Sequence, residues 1–236
     1  MSTVDRQPGG DTGLTPEYSL AEEVTHAVTH GVGALAALVG GIALVVQASQ
    51  GAGQGGGVLP IAAVSIYAIC MVAMFAASTL YHSLAFTRHH AFFKLLDHVA
   101  IYFKIAGTYT PFALITLPLG PGLAIMGGVW GAAFTGLAFK VRRFLSDRRG
   151  STRPRRFSPV SLALYLVMGW AAVFVIDELY VRLSASGFMW LVLGGAFYTI
   201  GAIFYALKRV PYAHAIWHLF VLAGSASHFV AIYGIV

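Results

Sequence analysis

The chain has 236 residues, of which 58% are hydrophobic and only 10% charged. Charged residues make up about a quarter of an ordinary soluble domain, so that class is excluded. The lone cysteine, Cys70, excludes a disulfide framework and a thiolate zinc site. The formal net charge of +6 admits nucleic acid or an anionic membrane surface as partner, and the distribution of the basic residues decides between them.

Residues 1–20 are polar, contain Gly and Pro, and lack the apolar segment of a cleavable signal peptide. They are expected to form a disordered cytoplasmic tail ahead of a transmembrane domain over residues 21–236. Apolar windows long enough to cross a hydrocarbon core, roughly 20 residues each, predict spans at 27–48, 59–85, 92–117, 121–140, 159–177, 187–207 and 212–235. SQGAGQGGG, flexible and uncharged, joins the first two. Pro118, Gly120, Pro121 and Gly122 allow only a tight turn between the third and fourth. KVRRFLSDRRGSTRPRR joins the fourth and fifth and holds eight of the fifteen Lys and Arg residues. No internal repeat is evident. The expected fold is an all-α membrane protein, a seven-transmembrane helix bundle.

The basic residues orient it. With the N-terminus cytoplasmic, thirteen fall on the cytoplasmic side, including Arg6, Arg88, Lys94, Lys208 and Arg209; Arg182 alone falls outside, and Lys104 lies within a span. This positive-inside bias predicts a cytoplasmic N-terminus and an extracytoplasmic C-terminus. The basic 140–156 loop is then a topology determinant that contacts anionic lipid headgroups, and nucleic acid is not an expected partner.

Polar residues within the spans gather at one depth. The first helix begins AEEVTHAVTHGVG, with Glu22, Glu23, His26 and His30; the second ends STLYHSL, with Ser78 and His82. The third begins FKLLDHVAIYFK, with Asp97 and His98, and the seventh begins HAIWH. Ser78 and His82, His26 and His30, and His214 and His218 are i,i+4 pairs, each sharing one helix face. The His214–His218 pair can chelate one metal ion, and His82 completes three imidazoles, the ligand count of a catalytic zinc with one open position. Asp97 could hold or deprotonate a water there, or orient a ligand histidine. Glu22, His26, His30 and Lys104 are candidates for the surroundings of the site. For His26 and His30, lining the site and a purely structural hydrogen-bonding role stand equally. His228, about 15 Å beyond His218 along the helix, is outside the cluster.

STLYH, KLLDHVAIYFKIAGTYTPF, HAIWH with GSASHF, and the opening EEVTHAVTHGVG resemble the hemolysin III branch of the progestin and adipoQ receptor superfamily, in family order across nearly all of residues 20–236. The resemblance implies a multi-pass protein of the bacterial cytoplasmic membrane with an intramembrane zinc on the cytoplasmic side. It carries the zinc ligands to His82, His214 and His218, and places Ser78 and Asp97 beside the zinc's water. It also implies a membrane lipid as substrate or ligand, since receptor-type relatives are thought to hydrolyse ceramide-like amides. Two positions depart from the family pattern: His26 stands where asparagine is common, and Lys104 where an apolar residue is usual. Lys104 is seven residues past Asp97, on nearly the same face and about 10 Å deeper, and should face the interior.

The leading expectation is a zinc-dependent intramembrane hydrolase of a lipid amide or ester, with Asp97 as base and Ser78 as hydrogen-bond donor. The alternative is a non-enzymatic sensor, receptor or hemolysin-type protein with a structural zinc. A pore built on Lys104 and His228, and haem held between facing histidines, are further readings.

Overall fold

The computed structural model describes residues 18–51, 57–148, 159–207 and 210–236. All regular structure among the described residues is helical: α1 Leu20–Ser49, α2 Val58–Ser83, α3 His90–Pro111, α4 Leu119–Arg148, α5 Pro159–Gly169, α6 Ile176–Arg182, α7 Ala185–Ala206 and α8 Ala213–Tyr233. Seven stretches are long and apolar enough to cross a membrane; α5 and α6 together form the fifth. Neighbours in sequence pack on one another from α1 through α4, α7 packs on α8, and α8 returns against α1.

The bundle reverses the polarity of a soluble domain. Its outer surface carries exposed Leu35, Val39, Ile42, Phe174 and Val181, while Glu23, His26, His30, Ser78, His82, Lys104 and His218 are buried. An apolar exterior of that extent is matched by lipid and penalised by water. Leu44, Val64, Tyr67, Phe75 and Ile232 fill the interior between the polar groups.

Helix starts follow local capping. The Ser19 hydroxyl accepts a hydrogen bond from the Glu22 N–H at 3.3 Å, and Glu22 Oε2 accepts from the Ser19 N–H at 3.1 Å. This capping box starts α1 at Leu20, ahead of the apolar window at 27, so Glu23 and His26 are helical. At the other end of the membrane, Pro111 lacks an N–H. Just after it the backbone widens into a π turn over Phe112–Thr116, closed by the Leu117 N–H on the Phe112 carbonyl at 2.9 Å. Gly122 is required in the first turn of α4, because a Cβ there would lie 2.2 Å from the Ala113 carbonyl oxygen.

The fifth span is broken by a side chain. The Tyr109 hydroxyl donates to the Gly169 carbonyl at 2.7 Å and accepts from the Ala172 N–H at 2.8 Å, and Trp170–Val175 winds as a 3₁₀ segment beside it. A side chain inserted into the helical ladder is an established cause of such a break.

Some boundaries differ from the apolar windows. α4 continues past residue 140 to Arg148 because KVRRFLSDR is made largely of good helix formers, so Lys140, Arg142 and Arg143 are helical rather than in a loop. Arg182, expected in an external loop, ends α6 and pairs with Glu178 one turn earlier at 2.9 Å. Residues 1–17, most of the 140–156 segment beyond Arg148, and Lys208 and Arg209 lie outside the described residues.

Candidate metal centre

The start of α1, the end of α2, the start of α3 and the start of α8 meet at one end of the bundle. There, ligand atoms of His82, His214 and His218 lie within 4.8 Å of one another, and a second group, Glu23, His26 and His82, meets the same criterion. The α8 helical turn holds the His214 and His218 rings 4.7 Å apart, and the His82 ring lies 5.3 Å from the first and 5.1 Å from the second.

Hydrogen bonds favour one tautomer at two of the three rings. Glu23 Oε2 lies 2.6 Å from His82 Nδ1, with both side chains buried. A carboxylate accepts only, so Nδ1 holds the proton and Nε2 the lone pair. The Thr29 hydroxyl donates to the backbone carbonyls of Thr25 and His26 at 2.8 Å and 2.9 Å. Its oxygen therefore accepts from His218 Nδ1 at 3.2 Å, again leaving Nε2 with the lone pair. Two of the three imidazoles are thus held in the tautomer that a metal ligand needs, and the donor set fits a divalent ion of zinc type.

His26 is fully buried among the three, its ring 4.6 Å from His82, 4.8 Å from His214 and 5.2 Å from His218. His30 lies alongside: its ring stacks on His218 at 3.5 Å, and its Nδ1 is 2.7 Å from Ser78 Oγ. Tyr18 covers the cluster, its ring stacked on His214 at 5.1 Å. Rings packed this closely leave no slot for a porphyrin between facing histidines.

Of the two glutamates, Glu22 is the one expected beside the site, and Glu23 takes that place. Glu22 is half-buried; besides capping α1, its Oε1 accepts the Tyr212 N–H at 2.9 Å and ties α1 to the entry of α8, where Tyr212 takes a left-handed φ of 57°. Glu23 is the buried carboxylate. The signal that finds it is the capping box, which fixes the register of α1 and puts Glu23, His26 and His30 on one face at i, i+3 and i+7.

A cavity of about 290 Å³ opens from the histidines into the bundle. Ser78, Asp97, His214 and His218 border it at one end, with Lys104, Tyr198 and His228 further along. Lys104 is buried and hydrogen-bonds the Tyr198 hydroxyl rather than Asp97. His228 Nε2 donates to the Leu191 carbonyl at 3.2 Å, outside the histidine cluster as its position along α8 requires. Trp170 and Val173 line the cavity and are each 53% exposed, so it reaches the lipid-facing surface at the fifth span.

Residues 18–229 match the family model described as Haemolysin-III related. Hemolysin-3 of Bacillus cereus is 40% identical over 208 residues, covering 88% of this chain and 89% of the relative. The Hemolysin-3 homolog of Bacillus subtilis is 38% identical over 212 residues, covering 90% and 93%. The monocyte to macrophage differentiation factor of Homo sapiens is 31% identical over 175 residues, covering 71% and 68%.

Proposed function

The chain belongs to the Haemolysin-III related family of multi-pass membrane proteins, and from that premise we propose that it is a zinc-dependent hydrolase of a lipid amide or ester. The observation that carries the reading is the His82, His214 and His218 donor set, with Glu23 holding His82 and Thr29 holding His218, at one end of a cavity open to lipid. His82, His214 and His218 hold the metal. Zinc supplies a Lewis acid for the carbonyl oxygen and activates water.

The remaining work falls to the chain. Asp97 borders the cavity beside the histidines and accepts the proton of the attacking water. Ser78, hydrogen-bonded to His30, orients water or the substrate carbonyl. The opening at Trp170 and Val173 admits an acyl chain sideways from the bilayer. The excess of Lys and Arg on the segments assigned to the cytoplasm supports placing the metal end, and the N-terminus, on that side. Lys140, Arg142 and Arg143 then face anionic headgroups there.

A second reading has its own observation. His26, within ring-contact distance of all three ligands, offers a fourth nitrogen. Closed by four protein ligands, the site would be structural and the protein a non-enzymatic sensor.

Purified protein loaded with zinc in liposomes containing an N-acyl sphingoid lipid tests the proposal. Fatty acid is released by the native chain, while Asp97→Asn keeps its metal and loses release. Full activity in that variant, or after removal of the metal, overturns the hydrolase reading.

A further inference from the structure

The cavity has a second polar end that the hydrolytic reading leaves unused. Lys104 is only 5% exposed and lines the cavity, yet no ion pair among the described residues involves it. Its ammonium donates to the Tyr198 hydroxyl, which is itself 2.8 Å from the buried Ser225 Oγ. Across from them, His228 uses its Nε2–H on the Leu191 carbonyl, and its buried Nδ1 has no hydrogen-bond partner among the described residues.

A buried cation without a counter-ion is costly in a bilayer interior, and such residues face a water-filled space or a ligand. One ammonium balances one negative charge. That suits a carboxylate, whereas a doubly charged phosphate monoester would leave excess charge. Tyr198 takes one of the three ammonium protons, leaving two to be donated. His228 Nδ1 can only accept, so the anion sits on the Lys104 side of the cavity.

The distance from the histidines follows from two helices. Lys104 lies seven residues beyond Asp97 on α3, and Ser225 seven beyond His218 on α8, each about 10 Å along its axis. We propose that Lys104 and Tyr198, backed by Ser225, form a carboxylate-binding subsite about 10 Å deeper in the cavity than the histidine cluster, for an amphiphile with a free carboxylate. The inference rests on reading the cavity as a lipid site and does not need a metal at the histidines.

Binding of dodecanoate and of its methyl ester to the purified full-length protein, followed by fluorescence of the cavity tryptophans, tests it. The native chain binds the acid at least tenfold more tightly than the ester. Lys104→Met removes that preference by weakening the acid, and Tyr198→Phe weakens the acid severalfold. Where Lys104→Met fails to fold, the Tyr198→Phe result decides. His82→Ala keeps the preference, so its failure to bind metal or to hydrolyse lipid leaves the subsite standing. Equal binding of acid and ester, or a preference lost in His82→Ala and kept in Lys104→Met, overturns the proposal, the second outcome by placing the carboxylate at the histidines.

Discussion

Glu23 Oε2 and His82 Nδ1 lie 2.6 Å apart across the contact of α1 with α2, both side chains buried. This pair fixes the tautomer of the one histidine common to both candidate metal groups. Partners of this kind raise ligand basicity and hold the ring in place, and removing one typically lowers metal affinity about 10- to 100-fold. Glu23→Gln keeps an acceptor and should fall near the lower figure, and Glu23→Ala near the upper. Competition with a zinc chelator measures both, and unchanged affinity in Glu23→Ala would remove the carboxylate from the site.

Ser78 supports His30, which in turn stacks on His218. Ser78→Ala leaves His30 Nδ1 buried without a partner, at a cost of about 1–3 kcal/mol. The thermal transition should fall while one metal per chain is retained. Loss of the metal would instead place Ser78 among its holders.

The architecture of the site was legible in the sequence to different depths. The i,i+4 spacing of His214 and His218 puts that pair on one face of α8, whereas the approach of His82, in the last turn of α2, depends on packing between helices. Glu23 was hidden by its neighbour: two adjacent glutamates at a helix start differ only in register, and the Ser19 cap decides which points inward. The inserted Tyr109 hydroxyl and the resulting 3₁₀ segment leave no mark on hydropathy, since Trp170–Val175 is as apolar as the rest of its span. The pairing of Lys104 with Tyr198 joins α3 to α7 and depends on long-range packing that no local pattern encodes.

The packing of α7 on α8 offers a paired test. A Cβ at Gly194 would lie 2.2 Å from His228 Cδ2 and 2.4 Å from its Nε2, so the ring must shift off the Leu191 carbonyl. Gly195, next in sequence, has open space where its Cβ would go. Gly194→Ala should cost about 1–3 kcal/mol and lower the thermal transition, and Gly195→Ala should not lower it. Equal effects would show that the His228 contact contributes nothing specific.

Tyr109 gives a third stability test. Tyr109→Phe removes one donor and one acceptor, leaving the Ala172 N–H and Gly169 carbonyl to re-pair within the fifth span. Each unsatisfied group costs about 1–3 kcal/mol. Faster amide exchange at Ala172 is the expected result. Unchanged exchange there would mean that the helical ladder closes without the tyrosine.

In the proposed site, His82, His214 and His218 together hold one metal ion. Metal analysis of the purified native chain and of His82→Ala, His214→Ala, His218→Ala and His228→Ala tests it most directly. One zinc per chain is expected in the native protein and in His228→Ala, and little or none in the other three. A native chain without metal, or full occupancy in His82→Ala, would contradict it.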